Sequence, residues 1–566
     1  MLTVRRALVA VLLLAVVAFA WLWLTRPQKV DMTAYAPADA IVYAEADSLP
    51  AIIDAFTSTD AWRELAPAAG VAARPGWTGW LPAFLSFTGL GPSDAVVLSR
   101  AQVAVAVLGF QAAEESDTTL KFTPRAALVA ETHTSEWRVR AAVEKLVGDF
   151  ARRSLGAPPV ERKEVDGVPF YLWAEAAGAR RKIVAAVDGS VAVVGNDEAA
   201  VRACLDVRRG ARPSLSGDEQ LKEMRVKLGG GGALAFGYAP RGSVAKTVEV
   251  FAPAFVGGVS EEPQVQSLLA TLVPRVFNQT LGSVGWSARV AGGGVEDLYF
   301  VSLAGGMTER LQGPLAAAEH TYDAAAVLPA DTFQVTFYDF RNAEEAYRGA
   351  GATLSSQVDA ASAILVTRGL KELLKPYGIE NPREFLRACG TQLATARLAL
   401  SSEGKVLVAS VRDRAALREQ ALAHLGRGSK AESVGDVEVL VSDDPELGAA
   451  AFAGGHLLMG SEEDVRGCVA ALGEGRTLRD GALLKAAPPE PSEGGAFART
   501  FTDDRDAART VLSRFARGGD AGALERALTR RGYSVSETRL AEGGFEKRTR
   551  SAFGLFGEIY TRLAPR

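Results

Sequence analysis

One order of short patterns occurs twice along this chain, and that duplication limits the fold more than any other feature. The first copy runs from about residue 37 to 305, the second from about 329 to the C-terminus. Pro37-Ala38-Asp39 before the apolar run Ile41-Val42-Tyr43 is answered by Pro329-Ala330-Asp331 before Phe333-Gln334-Val335. Thr88-Gly89-Leu90-Gly91-Pro92 is answered by Tyr377-Gly378-Ile379-Glu380-Asn381-Pro382. An apolar run ending at Gly195 leads through Asp197-Glu198 to Val201-Arg202-Ala203-Cys204. Its counterpart ends at Gly460 and leads through Glu462-Glu463 to Val465-Arg466-Gly467-Cys468. Late in each copy, Ala288-Arg289-Val290-Ala291-Gly292-Gly293-Gly294-Val295 matches Thr538-Arg539-Leu540-Ala541-Glu542-Gly543-Gly544-Phe545. The spacing between partners shrinks along the chain, as it does when loops gain and lose residues. A repeat this long is a duplicated domain; solenoid repeats have periods of ~20–50 residues.

The 566 residues are 48% hydrophobic and 23% charged, an ordinary globular composition. Length alone suggests ~3–4 domains. The duplication argues for two units instead, 31–305 and 324–566, joined by 306–323, each large enough to bury its own core. A net charge of −4 gives no basic footprint for nucleic acid.

Arg5 and Arg6 precede an uncharged run over residues 7–24, with Trp21 and Trp23 at its outer end. At ~1.5 Å per residue such a run spans ~27 Å, close to the ~30 Å hydrocarbon layer. It therefore predicts a signal-anchor transmembrane helix (residues 1–30), single-pass, with the bulk of the chain facing the periplasm or cell exterior. Ala18-Phe19-Ala20 offers the alternative of a signal peptide cleaved after Ala20.

Short apolar runs at 168–173, 182–187 and 191–194 read as strands, with Asp188-Gly189 as a hairpin turn. The runs 284–290 and 295–303 form another hairpin. Val139, Val143, Leu146, Val147 and Phe150 make one apolar face of a helix over Glu136–Leu155. Hairpins imply antiparallel pairing, and the intervening helices can cover it. The expected fold class is α+β: two tandem units, each a curved antiparallel sheet with helices packed on it, behind one N-terminal transmembrane helix. Flexible tips are expected at 112–123, 257–263 and 486–495.

The side chains that could carry chemistry give no catalytic set. His133, His320, His424 and His456 stand in no metal-ligand spacing, and His456 is expected at a strand surface. Gly229 to Gly232 lacks the Lys-Ser/Thr of a phosphate loop and reads as a turn. Asp503-Asp504-Arg505-Asp506 could ligate a cation. However, the first copy has Pro240-Arg241-Gly242-Ser243 there, so helix capping is the simpler reading. Asp443-Asp444-Pro445-Glu446 reads as a helix entry or a turn. Cys204 and Cys468 are equivalent positions, so buried free thiols are expected, with a bridge between them as the alternative. All eight tryptophans precede residue 287; that asymmetry marks either core packing or a surface special to the first copy. No catalytic, cofactor-binding or metal residue is assigned, and no cofactor.

Pro37-Ala38-Asp39, the Asp188-Gly189 turn before a strand ending in Gly195, and the following helix with Val201-Arg202 resemble a bacterial family. Its members are membrane-anchored, exported proteins known only as a domain of unknown function. The resemblance covers most of both copies. It implies an N-terminal anchor and an extracytoplasmic α+β body, and it carries over no catalytic residues.

The sequence thus leads to a membrane-tethered, non-enzymatic binding or scaffold protein of the bacterial envelope. Its expected partners are the membrane through the N-terminal helix and an envelope protein or a hydrophobic ligand. The alternatives are a carrier of a lipid or other hydrophobic ligand in a groove of the sheet, and a hydrolase with an unrecognised site.

Overall fold

The structure, a computed structural model, describes residues 29–563 except 47, 71–96, 117–118, 157–158, 176–180, 257–262, 320, 373, 402–403, 488–494 and 514–519. The first half contributes β1 (Val42–Ala46), β2 (Gln102–Ser116), β3 (Thr119–Glu131), β4 (Val160–Val165), β5 (Val168–Ala174), β6 (Lys182–Asp188), β7 (Val191–Gly195), β8 (Ala235–Ala239), β9 (Leu281–Ala291) and β10 (Gly294–Leu303). The second contributes β11 (Gln334–Asp339), β12 (Cys389–Arg397), β13 (Val406–Val411), β14 (Lys430–Val434), β15 (Val437–Val441), β16 (Ala449–Ala453), β17 (His456–Gly460), β18 (Ala496–Asp503), β19 (Tyr533–Ala541) and β20 (Gly544–Ser551).

In the first half the strands lie side by side as β4-β5-β6-β7-β3-β2-β1-β8-β9-β10, every pair antiparallel. The second half has the same arrangement, β14-β15-β16-β17-β13-β12-β11-β18-β19-β20. β10 and β20 then pair with each other, antiparallel, from Val295↔Ser551 to Ser302↔Gly544. Val295 and Phe545 are equivalent residues, and Val295↔Ser551 exchanges with Val301↔Phe545 about the central pair Leu298↔Arg548. A pseudo-twofold axis therefore passes through that pair, perpendicular to the sheet.

This corrects the expected fold class in two respects. The two halves do not make separate sheets: the β10–β20 seam joins them into one 20-stranded antiparallel sheet. Nor is the single membrane-spanning helix supported. Among the described residues no helix is long and apolar enough to cross a membrane, and the 7–24 run lies outside them. The fold accordingly gives no support to a transmembrane or signal-anchor element. The expected flexible tip at 112–123 falls at the end of the long β2–β3 hairpin, whose register runs to Ser116↔Thr119, and residues 117–118 within it lie outside the described residues. Residues 257–262 and 488–494, in the other two tips, lie outside the described residues.

The twelve helices used below are α1 (Asp60–Ala68), α2 (Glu136–Leu155), α3 (Glu198–Arg208), α4 (Glu219–Lys227), α5 (Pro263–Thr280), α6 (Met307–Gln312), α7 (Ala360–Glu372), α8 (Arg414–Leu425), α9 (Glu462–Gly473), α10 (Arg505–Ser513), α11 (Ala521–Arg531) and α12 (Gly554–Leu563). Period-two alternation in the strands sends side chains to both faces, and both are covered. Val184 and Ala186 of β6 join Val201, Cys204 and Leu205 of α3 in one core. Their neighbours Ala185 and Val187 join Val139 and Val143 of α2 on the opposite face. The second half repeats this, with Cys468 of α9 over one face and Leu417 and Ala421 of α8 over the other.

The repeated Pro-Ala-Asp motif has a mechanical reason. The amide of Ala38 donates to Pro213 O at 3.0 Å and that of Leu215 to Ala36 O at 2.9 Å. In the second copy Ala330 donates to Arg476 O and Leu478 to Leu328 O. The motif thus ties the start of each copy to the turn after its α3 or α9. At the outer edges, β4 carries Glu161, Arg162, Lys163 and Glu164, charges that discourage further strand addition.

At the seam the halves interlock. α1 of the first half packs on α11 of the second, and α7 of the second packs on α5 of the first. Trp62, Leu65 and Ala66 of α1 share a core with Val511, Leu512, Leu528 and Phe553. Glu64 pairs with Arg531 at 2.6 Å, and Asp359 with Arg275 at 3.3 Å. Between the halves, Met307 and Leu311 of α6 are buried.

Candidate functional site

Two hollows flank the seam, one on each face of the sheet. On the α3 face, α4 leans over the ends of β9 and β10. The close approach requires Gly285, where a Cβ would stand 2.5 Å from Met224 Sδ and 2.6 Å from Leu228 Cδ1. Beyond this contact α4 leaves a groove of about 740 Å³, within the usual size of a small-molecule site. Its floor includes Met224, Phe300 and Leu303, and its rim Lys222, Lys227 and Arg241. Lys227 Nζ lies 4.0 Å from the centre of the Phe300 ring and donates to Glu542 O in the β19–β20 turn, so both halves shape the groove. Among the described residues, the second copy has the single turn Ala482–Lys485 where the first has the nine-residue α4.

On the opposite face a cavity of about 270 Å³ lies between the sheet and helices α10 and α12. Thr500 and Thr502 of β18, Ser534 and Ser536 of β19, and Thr549 and Ser551 of β20 face into it. Some of these hydroxyls pair locally: Ser536 with Thr549 at 2.7 Å, and Thr500 with Thr336 at 2.9 Å. Asp297 Oδ1 accepts from Trp286 Nε1 at 3.0 Å, and its Oδ2 accepts the Leu555 amide at 2.9 Å, which caps the start of α12. Burial pushes the Asp297 carboxyl up, while those two hydrogen bonds pull it down. Asp504 precedes α10. Burial, reinforced by Asp503 and Glu558 and opposed by the Ser534 hydroxyl, pushes its carboxyl up to about 6. Lys547 stands at the mouth, without an ion-pair partner among the described residues. Among the described residues no His or Cys lines the cavity, so they form no nucleophile–base pair of the Cys–His or Ser–His kind there.

Charge on the α3 face of the seam is structural. Buried Glu296 accepts from Arg289 Nε and Arg550 Nε, each at 2.9 Å. Burial alone would raise its pKa, but the two arginines hold it below the usual carboxylate range. Arg499 and Glu537, direct partners across β18 and β19, form a fully buried pair at 2.8 Å.

The residues singled out from the sequence do not converge. His133 Nε2 is 3.0 Å from Gln102 Oε1, and His320 lies outside the described residues. His456, expected at a surface, is instead 7% exposed with Nδ1 2.9 Å from Gly454 O, and burial lowers its pKa. The correction arises because β17 lies between β13 and β16 and is covered on both faces. Gly230–Gly232 forms a 3-10 turn before β8. Asp503 Oδ1 accepts the Arg505 amide at 3.1 Å at the start of α10, and Asp444 Oδ1 accepts the Glu446 amide at 3.0 Å within its turn. Among the described residues no group of three or more His, Cys, Asp or Glu side chains is placed to hold a metal. All three cysteines are free and buried, and desolvation pushes each thiol up to about 12. Cys204 and Cys468 lie in separate cores, which rules out the alternative bridge. Trp62 and Trp173 are core residues, whereas Trp137 is exposed.

Sequence reasoning missed both hollows. A signal for the second was present: Thr500/Thr502, Ser534/Ser536 and Thr549/Ser551 are three hydroxyl pairs at strand period.

No protein-family model matches this chain, and no curated protein or solved structure is significantly similar to it.

Proposed function

We propose that this chain is a non-enzymatic binding protein whose ligand is a small apolar molecule with an anionic head, seated in the groove under α4. The observation that carries this reading is the pairing of an apolar floor with a rim of three cations against one carboxylate, Glu223, in a hollow of about 740 Å³. Apolar surface supplies affinity, and a few placed charges fix orientation. Met224, Phe300 and Leu303 would receive the apolar body, and Lys222, Lys227 and Arg241 the head. This is the hydrophobic-ligand alternative drawn from the sequence, now tied to named residues. The extracytoplasmic setting belongs to the same proposal, and protease accessibility in intact cells tests it.

Titration of the full chain with anilinonaphthalene sulfonate, an apolar anion that fluoresces when desolvated, tests the groove. Gly305 lines it, and a Cβ there would meet no atom within 4 Å, so Gly305→Trp can fill the space without strain. Saturable binding is expected, with a loss of about tenfold or more in Gly305→Trp, roughly 1.4 kcal/mol, and normal binding in Gly305→Ala. Equal binding by all three proteins would overturn the reading.

A further inference from the structure

The two copies differ sharply at the cavity beneath α10 and α12. Strand pairing and sequence equivalence match Gly237↔Trp286 in the first copy to Thr500↔Ser536 in the second. In the first copy the indole fills the space over the glycine: a Cβ on Gly237 would lie 3.1 Å from Trp286 Cε3. The second copy puts two small hydroxyl side chains at those positions, and the space stays open. Asp297, which anchors the Trp286 indole, has Lys547 as its equivalent. The cavity is therefore not inherent in the fold. The same backbone is plugged in one copy and opened, hydroxylated and given a cation in the other.

We infer that this cavity is a second ligand seat, distinct from the groove under α4, for a small polyhydroxylated carboxylate of sugar-acid type. Three features select that chemistry. A hydroxyl both donates and accepts, so a row of hydroxyls at strand spacing matches a row of hydroxyls on a ligand. Where the wall hydroxyls of Ser536 and Thr549 bond each other, one O–H donor and several lone pairs are left for a guest. Asp297, Asp504 and Glu558 line the wall and turn an anionic group away from themselves, toward Lys547 at the mouth, the one cation among the described lining residues. The volume, about 270 Å³, sits at the small end of ligand sites and limits the guest to about the size of one sugar unit.

The test uses the full chain and D-gluconate, read by saturation-transfer NMR and calorimetry, with sorbitol and acetate as comparison ligands. Saturable gluconate binding is expected, with sorbitol and acetate each weaker by about tenfold or more, because each lacks one half of the recognition. Lys547→Ala should reduce gluconate to the level of sorbitol. The double variant Thr500→Gly/Ser536→Trp rebuilds the first copy's plug. It should keep the parent melting temperature and lose gluconate binding, while Gly305→Trp should leave that binding unchanged. Absence of gluconate binding by the parent chain, equal binding of sorbitol, or binding that survives in a folded double variant would each overturn the inference. The groove under α4 is untouched by any of these results.

Discussion

Asp504 is held where burial favours its protonated form and the Ser534 hydroxyl favours the ionised one, and burial wins. Its carboxyl is raised from the ordinary 3.8 to about 6. Between those two values the folded chain binds the proton more tightly than the unfolded chain, so this residue's contribution to stability falls as pH rises through that window. Asp504→Asn removes the penalty and can still accept from Ser534. The variant should be more stable than the parent by about 1–3 kcal/mol at pH 7 to 8, with the gain fading below about pH 4. Urea titrations of both proteins at a series of pH values check this; a gain that does not change with pH would refute the assignment. The sequence showed Asp504 only as a member of an acidic run. Its depth under α10 depends on β19 lying beside β18, a contact that no local pattern announces.

Among the helices, α2 was legible because its apolar residues recur at helical spacing, and Val139 and Val143 are buried as that stripe requires. Phe150, counted in the same stripe, is 55% exposed; the helix turns toward Ala151 and Leu155 instead. The β6–β7 and β9–β10 hairpins were legible from Asp188-Gly189 and Gly292-Gly293, whose glycines adopt the positive φ of tight turns. The packing of α1 on α11 was not legible, since its two partners stand more than four hundred residues apart and carry ordinary amphipathic patterns. Trp62 carries much of that contact, edge-on to Phe553 at 6.4 Å and to Phe56 at 6.5 Å. Trp62→Ala should cost about 3–5 kcal/mol. Because the contact joins the halves, calorimetry should show one transition at lower temperature. Two separated transitions would mean that the halves melt independently and that the shared core is not cooperative.

For the whole molecule, the seam decides how the chain can be divided. β10 and β20 each read as the last strand of a self-contained unit, so the sequence suggested two sheets; only their mutual pairing shows that neither half ends there. Cut free, residues 31–305 would expose the β10 edge together with the faces of α1 and α5 that the other half covers. Co-expressed 31–305 and 324–566 should purify as a one-to-one complex, whereas either alone should self-associate or aggregate. Light scattering coupled to size exclusion distinguishes these outcomes, and a stable folded monomer of either fragment would contradict the interlocked description.

A dimer of identical subunits repeats every surface feature on both sides of its axis. Covalent fusion removes that obligation. Here the axis through Leu298 and Arg548 relates unlike residues: an indole plug to a hydroxyl-lined hollow and, among the described residues, a nine-residue helix to a single turn. Each molecule can therefore hold one guest per hollow rather than a matched pair, and its saturation curves should be simple hyperbolas, with no homotropic coupling between mirror sites.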